Sequence, residues 1–300
     1  MILPHLLLVS VTLAWAGPGP AGLSELREGQ RVSGFTAQAL YLGAAGRPAG
    51  ARFLHRSGMP VDVLFFASVP HISLYARSLP ISERGEPHTL EHLLLGKGRV
   101  GKAMNALMDM RLGNHTAGTY SDMTLYSFHT AAGPEGFYEL LERYLGALLH
   151  PDFTDEEIRR EVANFEAEPG EDGSLRLEEK GTVYNEMVST MEKGDAVNYY
   201  DQVGRLVYGP AHPLARNQGG APKEIWDMTP RDIRRFHEDN YHIGPNMAFI
   251  TALPLSWSAE DFLARFDAML ERLEPSSSTR RYRELPPFAP AGEGEIRVGA

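Results

Sequence analysis

His88 and His92 stand four residues apart with Glu91 between them. On a helix, positions i and i+4 share a face, with Cβ atoms about 5–6 Å apart. That spacing lets two imidazoles hold one metal ion. Glu91, three residues after His88, lies close to the same face. The order H-x-x-E-H reverses the H-E-x-x-H arrangement, in which two histidines bind zinc and a glutamate acts as general base. The chemistry it predicts is attack of a metal-activated water on a peptide bond, with Glu91 moving the protons.

Two histidines do not complete such a centre. A catalytic zinc site takes three protein ligands and keeps one open position. The chain has no cysteine, so a third ligand must be a histidine or a carboxylate. Glu186, in the segment Gly181-Thr182-Val183-Tyr184-Asn185-Glu186-Met187, is the best candidate. It falls on a helix expected from Ser174 to Met191. Glu179, seven residues or two turns earlier, would share its face and tune the site or orient a ligand. The expected load is one Zn2+ per chain.

The elements that must position these residues are read from periodicity and turn signals. Residues 32–67 are strand-like, with Phe35, Ala37 and Ala39 alternating and a β-branched, aromatic run from Val61 to Phe66. A polar turn, Ser82 to Pro87, leads into the helix with the histidines, and Pro87 suits its first turn. Helix continues from Met104 to Met110. Thr119 to Thr130 is strand-like, with Tyr120, Thr124, Tyr126 and Phe128 on alternate positions. Helices are expected at Glu135–Leu149, Asp155–Phe165, Asn198–Val207 and Pro230–Asn240, the last capped by Thr229. A strand at Asn246–Leu253 and an amphipathic helix at Ala259–Leu273 follow. The pattern predicts an α+β layered domain.

Net charge is −10, from 39 acidic and 29 basic residues, which disfavours nucleic acid as the main partner. Residues 2–16 form an apolar stretch too short for a comfortable membrane span. Ala14-x-Ala16, followed by Gly17-Pro18, resembles a signal-peptidase site, although no Lys or Arg precedes the stretch. The expectation is a cleaved signal and flexible lead over residues 1–22, and export to the periplasm or the cell exterior. No other segment reads as a membrane span. Residues 276–300 read as a linker and the start of a further domain.

Several other signals have plainer readings. Gly96 to Lys102 nearly spells a phosphate-binding loop, but Ala103 replaces the magnesium-holding Ser/Thr and the run follows a helix. His237 and His242 fit a helix C-terminus better than a second metal site. His115 and His129 read as strand-end histidines. Tyr199, Tyr200 and Trp226 read as packing residues, and Glu168 to Asp172 as a solvated loop.

Four separated segments, in order, resemble the pitrilysin/insulinase metallopeptidase family, particularly its presequence-protease branch. They are Pro87 to His92, Thr116 to Tyr126, Lys180 to Met187, and Gly219 to Ile225 continuing through Phe236-His237 to Tyr241-His242. The resemblance covers roughly residues 30–275, the expected peptidase domain. It implies a pitrilysin-type fold, with a mostly antiparallel sheet packed on helices. It implies zinc held by His88, His92 and Glu186, with Glu91 as general base. It implies that the strand at Thr116, Ala117 and Gly118 pairs with an extended peptide. Thr116 stands where the family usually has Asn. Glu179 is carried by other branches more often than by this one. The resemblance further implies degradation of unfolded oligopeptides, and a second homologous half or subunit that closes over them. The alternative function is a non-catalytic, structural or peptide-presenting subunit of the same fold.

Overall fold

Alternation along the strands fixes one buried face. A computed structural model describes residues 23–43, 46–170, 172–192, 195–274 and 285–287. In β10 (Met247–Pro254) buried and part-buried residues alternate throughout, and β5 (His71–Arg77) does nearly the same. That is the period of a sheet with one side packed and the other open. With β1 (Arg31–Val32), β2 (Phe35–Leu42), β3 (Pro48–His55), β4 (Pro60–Phe66), β6 (Gly113–Thr119) and β7 (Met123–Thr130), they build an eight-stranded sheet. Its order is β1-β2-β3-β4-β10-β5-β7-β6. Only the β4–β10 pairing is parallel. The α+β class and the mostly antiparallel sheet are as the sequence predicts.

The buried face carries Phe35, Phe53, Val61, Val63, Ile72, Leu74, Phe128 and Phe249, against helices. α9 (Ala259–Leu273) stacks Phe262 and Phe266 on Phe249, with ring centroids 6.4 and 4.5 Å away. Each such side chain contributes about 1.5–3 kcal/mol relative to exposure. α3 (Gly133–Leu149) adds Phe137, Leu140, Leu141 and Tyr144 to the same core. α1 (Glu86–Gly96) is buried from Glu86 to Leu90 and again from Leu93 to Leu95. It packs against α2 (Gly98–Met110), and against α4 (Asp155–Val162), α5 (Thr182–Glu192) and α8 (Pro230–Asn240). α6 (Asp195–Tyr208) and the short α7 (Pro222–Ile225) complete the helices among the described residues.

Two helix expectations are corrected. The helix expected at Asp155–Phe165 ends at Val162, and the helix expected at Ser174–Met191 begins at Thr182. Between them lies a two-stranded ribbon, β8 (Asn164–Pro169) and β9 (Leu175–Lys180). Leu175, Leu177 and Glu179 alternate with Arg176, Glu178 and Lys180, a period-2 pattern hidden in residues that also favour helices. Gly181 ends the ribbon at φ +131°, where a Cβ would meet the Val162 carbonyl oxygen at 2.6 Å. The strand-like stretch Thr119–Thr130 divides: Thr119 ends β6, residues 120–122 turn, and Met123–Thr130 is β7. Residues 1–22, and nearly all of 276–300, lie outside the described residues, so the expected signal and linker do too.

Candidate metal centre

Gly85, at φ +79°, turns the chain into α1, and Pro87 occupies its first turn. One turn of helix then sets the His88 and His92 rings 4.6 Å apart between centroids, with planes at 84°. α5, which packs against α1, brings Glu186 to them. His88 Nε2 lies 3.6 Å from Glu186 Oε1, and His92 Nε2 lies 3.5 Å from Oε2. Among the described residues these three form the group that could hold a metal, with ligand atoms all within 4.8 Å of one another. A tetrahedral ion with donors at about 2.0–2.2 Å spaces them about 3.3–3.6 Å apart. Each imidazole stands at about that distance from one Glu186 oxygen, and two imidazoles with one carboxylate are a donor set that suits zinc.

No family model matches the chain. Curated relatives do. The mitochondrial presequence protease of Xenopus tropicalis is 31% identical over 242 residues, covering 76% of this chain and 22% of that protein. That of Gibberella zeae is 31% identical over 245 residues, covering 78% and 22%. An uncharacterized protein of Saccharomyces cerevisiae is 32% identical over 165 residues, covering 54% and 15%. Among solved structures, pitrilysin superposes with a TM-score of 0.62 at 16% identity, covering 86% of this chain and 26% of that one. An inactive M16 peptidase domain from Pseudomonas fluorescens gives 0.59 at 16%, covering 79% and 54%.

The chain belongs to the pitrilysin family, on its presequence-protease-like branch.

It spans about a fifth of the length of these presequence proteases. Their names place them in mitochondria, which overturns the expectation of export to the periplasm or cell exterior. No helix among the described residues is long and apolar enough to cross a membrane.

In this pitrilysin-family domain the surroundings treat the two histidines differently. Burial holds the His88 imidazole below its ordinary pKa, and the neighbouring His92 adds to that, against the pull of Glu186 and Glu91. Burial also acts to lower His92, but the hydrogen bond and charge of Glu161, with the charges of Glu91 and Glu186, together outweigh it, and the net direction is upward. The Glu161 carboxyl is itself held at about 2. Burial would raise it, but His92 and Lys97 both hydrogen-bond it in the charged form.

Glu91 is half-buried, and Thr119 Oγ1 donates to its Oε2 at 2.8 Å. Thr119 closes β6, which is the end strand of the sheet. The register shows which β6 backbone groups are free. Tyr120 N donates to Met123 O at 2.8 Å, so Gly118, Thr116 and Asn114, two residues apart, face β7 in the same way. His115, Ala117 and Thr119 aim their N–H and C=O outward, where no strand lies among the described residues. Of the three residues expected to pair with a peptide, Ala117 offers its backbone to the open edge. Thr116 and Gly118 spend theirs on β7.

Glu179 is not where the helical reading put it. It lies on β9, takes a hydrogen bond from the Tyr184 hydroxyl, and stays outside the metal group. Two residues near the centre escaped the sequence reading. Thr119 reaches Glu91 only because β6 runs beside α1. Glu161 left a trace, for Ile158, Glu161 and Val162 form one buried stripe on α4, and a carboxylate in an apolar stripe needs a partner.

The remaining signals are taken up locally. His237 Nε2 meets Leu148 O at 2.7 Å, and His242 Nδ1 meets Glu274 at 2.7 Å. The His115 ring lies edge-on to Tyr144, and Trp226 stacks on Phe165. The stretch that nearly spells a phosphate-binding loop is mostly helix, since α2 begins at Gly98; there Lys97 pairs with Glu161 and, on α2, Lys102 with Glu157. The side chains of Tyr199 and Tyr200 lie outside the described part.

Proposed function

We propose that this domain is the zinc-bearing part of a metalloendopeptidase that degrades unfolded oligopeptides. The carrying observation is the convergence of His88, His92 and Glu186, with Glu91 held beside them by Thr119. His88, His92 and Glu186 would hold the ion. Zinc supplies a Lewis acid and makes water a stronger acid when bound there. This chain's own residues do the rest. An extended peptide adds to the open edge of β6 through the N–H and C=O of Ala117, so recognition is by backbone and selects little sequence. Glu91 accepts the proton of the attacking water, with the Thr119 hydroxyl fixing which carboxylate oxygen is free. Glu91 then returns the proton to the departing amide nitrogen. A second homologous half or subunit would close over the peptide.

A second reading has its own support. One structure of this fold is named an inactive peptidase domain, so the fold alone does not make an enzyme. On that reading the chain is a structural or peptide-presenting subunit. The experiment is metal content of the purified chain by elemental mass spectrometry, wild type beside His92→Ala, then cleavage of an unfolded peptide by wild type and Glu91→Gln. One zinc per chain, lost in His92→Ala, with cleavage lost in Glu91→Gln, is expected. Zinc bound but no cleavage by the protein assembled with its second half favours the subunit.

A further inference from the structure

We infer that His71 and His129 form a second, exchangeable site for a divalent transition metal, with Cu2+ held more tightly than Ni2+ or Zn2+. His71 opens β5 and His129 lies near the end of β7, and the register sets them directly opposite each other. The backbone decides how close their side chains come. Thr130 N donates to Pro70 O at 3.3 Å, and at the far end of the same ladder Ser78 N donates to Asp122 O at 3.0 Å. Bonded and unbonded pairs alternate along an antiparallel ladder. His71 and His129 are therefore an unbonded pair, in which Cα atoms stand about 4.5 Å apart instead of about 5.5 Å. The next pair, Ile72 and Phe128, points into the core, so both imidazoles stand on the open face of the sheet.

The two ring centroids are 6.3 Å apart, with planes at 70°. Imidazoles that share one ion through bonds of about 2.0–2.1 Å have ring centres roughly 4.5–6.5 Å apart, according to the angle at the metal. No hydrogen bond engages either ring among the described residues. Burial, with the charge of His129, holds the His71 imidazole below its ordinary pKa, so at neutral pH it offers a lone pair. Asn114 on β6 is the register partner of His129 and shares its face, exposed, so an amide oxygen stands next in the row. Water fills the remaining positions. No further His, Asp or Glu joins the pair among the described residues, which makes it weaker than the three-ligand centre and its ion exchangeable. Imidazole nitrogens suit copper, nickel and zinc, and the general order of affinities puts Cu2+ first.

Two solvated histidines at strand ends are the competing account. Such a pair gains nothing from its placement, because like charges directly opposite each other destabilise a sheet once both rings are protonated. A bridging ion reverses the sign. It clips β5 to β7 and stabilises the folded chain in proportion to the metal bound.

The test uses Cu2+ as the probe, on the full chain carrying His88→Ala/His92→Ala, so that the imidazoles of α1 contribute nothing. Cu2+ should raise the melting temperature, and its electron paramagnetic resonance spectrum should show coupling to two imidazole nitrogens. A second ligand on the same scaffold acts at a high effective concentration, so removing one imidazole should weaken Cu2+ binding about 100-fold. His71→Ala and His129→Gln should each do so, and each should abolish the rise in melting temperature. His129 is exposed, so His129→Gln keeps the fold and the test stands even where His71→Ala does not fold. No Cu2+ binding by the double-alanine chain, a spectrum with one imidazole, or unchanged affinity in His129→Gln would overturn the inference and leave two solvated histidines. None of these results depends on whether the centre at α1 holds zinc.

Discussion

At Glu91 the chemistry turns on one proton and on which carboxylate oxygen takes it. Removing the base should show that directly. Glu91→Gln should retain zinc and lower peptide cleavage by at least about 10²-fold, the usual contribution of general acid–base catalysis. Retained turnover would move the base elsewhere. Thr119 donates to Glu91 Oε2, so Thr119→Val frees that oxygen. A hydrogen bond to a charged group is worth about 1.5–3 kcal/mol, and kcat/KM should fall by about 10-fold or more with zinc content unchanged. An unchanged kcat/KM would make the contact incidental. The reading of His88, Glu91 and His92 as one group needed only the sequence, because helical spacing is a local property. Thr119 and Glu161 reach the same place from β6 and α4, and no spacing along the chain encodes that approach.

On the scale of elements, the open edge of β6 makes a prediction about two neighbouring residues. Ala117 aims its N–H outward and Thr116 aims its own at β7. Proline removes a backbone donor, and edge strands tolerate it on the solvent side. Ala117→Pro should leave the fold intact and raise KM for extended peptides. Thr116→Pro should break the β6–β7 ladder and lower the melting temperature. Circular dichroism melts beside peptide kinetics check this, and equal effects at both positions would refute the register. The termini of α8 and α9 agree with the periodicity over 230–240 and 259–273. The ribbon of β8 and β9 did not emerge, because Glu, Leu and Lys favour helices locally and only the cross-strand register makes them strands. Glu179 was misplaced for that reason and no other.

For the whole molecule, acid stability follows from a histidine away from the metal. His237 on α8 meets Leu148 O at 2.7 Å. Burial brings its pKa down to about 4, helped by His242 and His150 and opposed by the bond to Leu148. An unfolded histidine titrates near 6.5, so between these values the unfolded chain binds more protons. Its contribution is complete above about pH 6.5 and is lost as pH falls through 4, an effect of the order of 2–3 kcal/mol. Urea melts at pH 7.5 and 4.5 should show a smaller loss for His237→Gln than for wild type. Equal losses would assign the acid sensitivity to other groups. The layered class was legible from alternating strands and amphipathic helices. The order of the sheet was not, since nothing near residue 250 says that this strand enters between β4 and β5. That insertion has a consequence in time. A ribosome releases β4 and β5 long before β10, at about 5–20 residues per second, so the middle of the sheet stays unfilled for on the order of ten to thirty seconds. All the helices that bear His88, His92, Glu161 and Glu186 emerge during that wait. The nascent chain thus carries two raw edges at its centre, and the last of the described strands to arrive is the one that closes them.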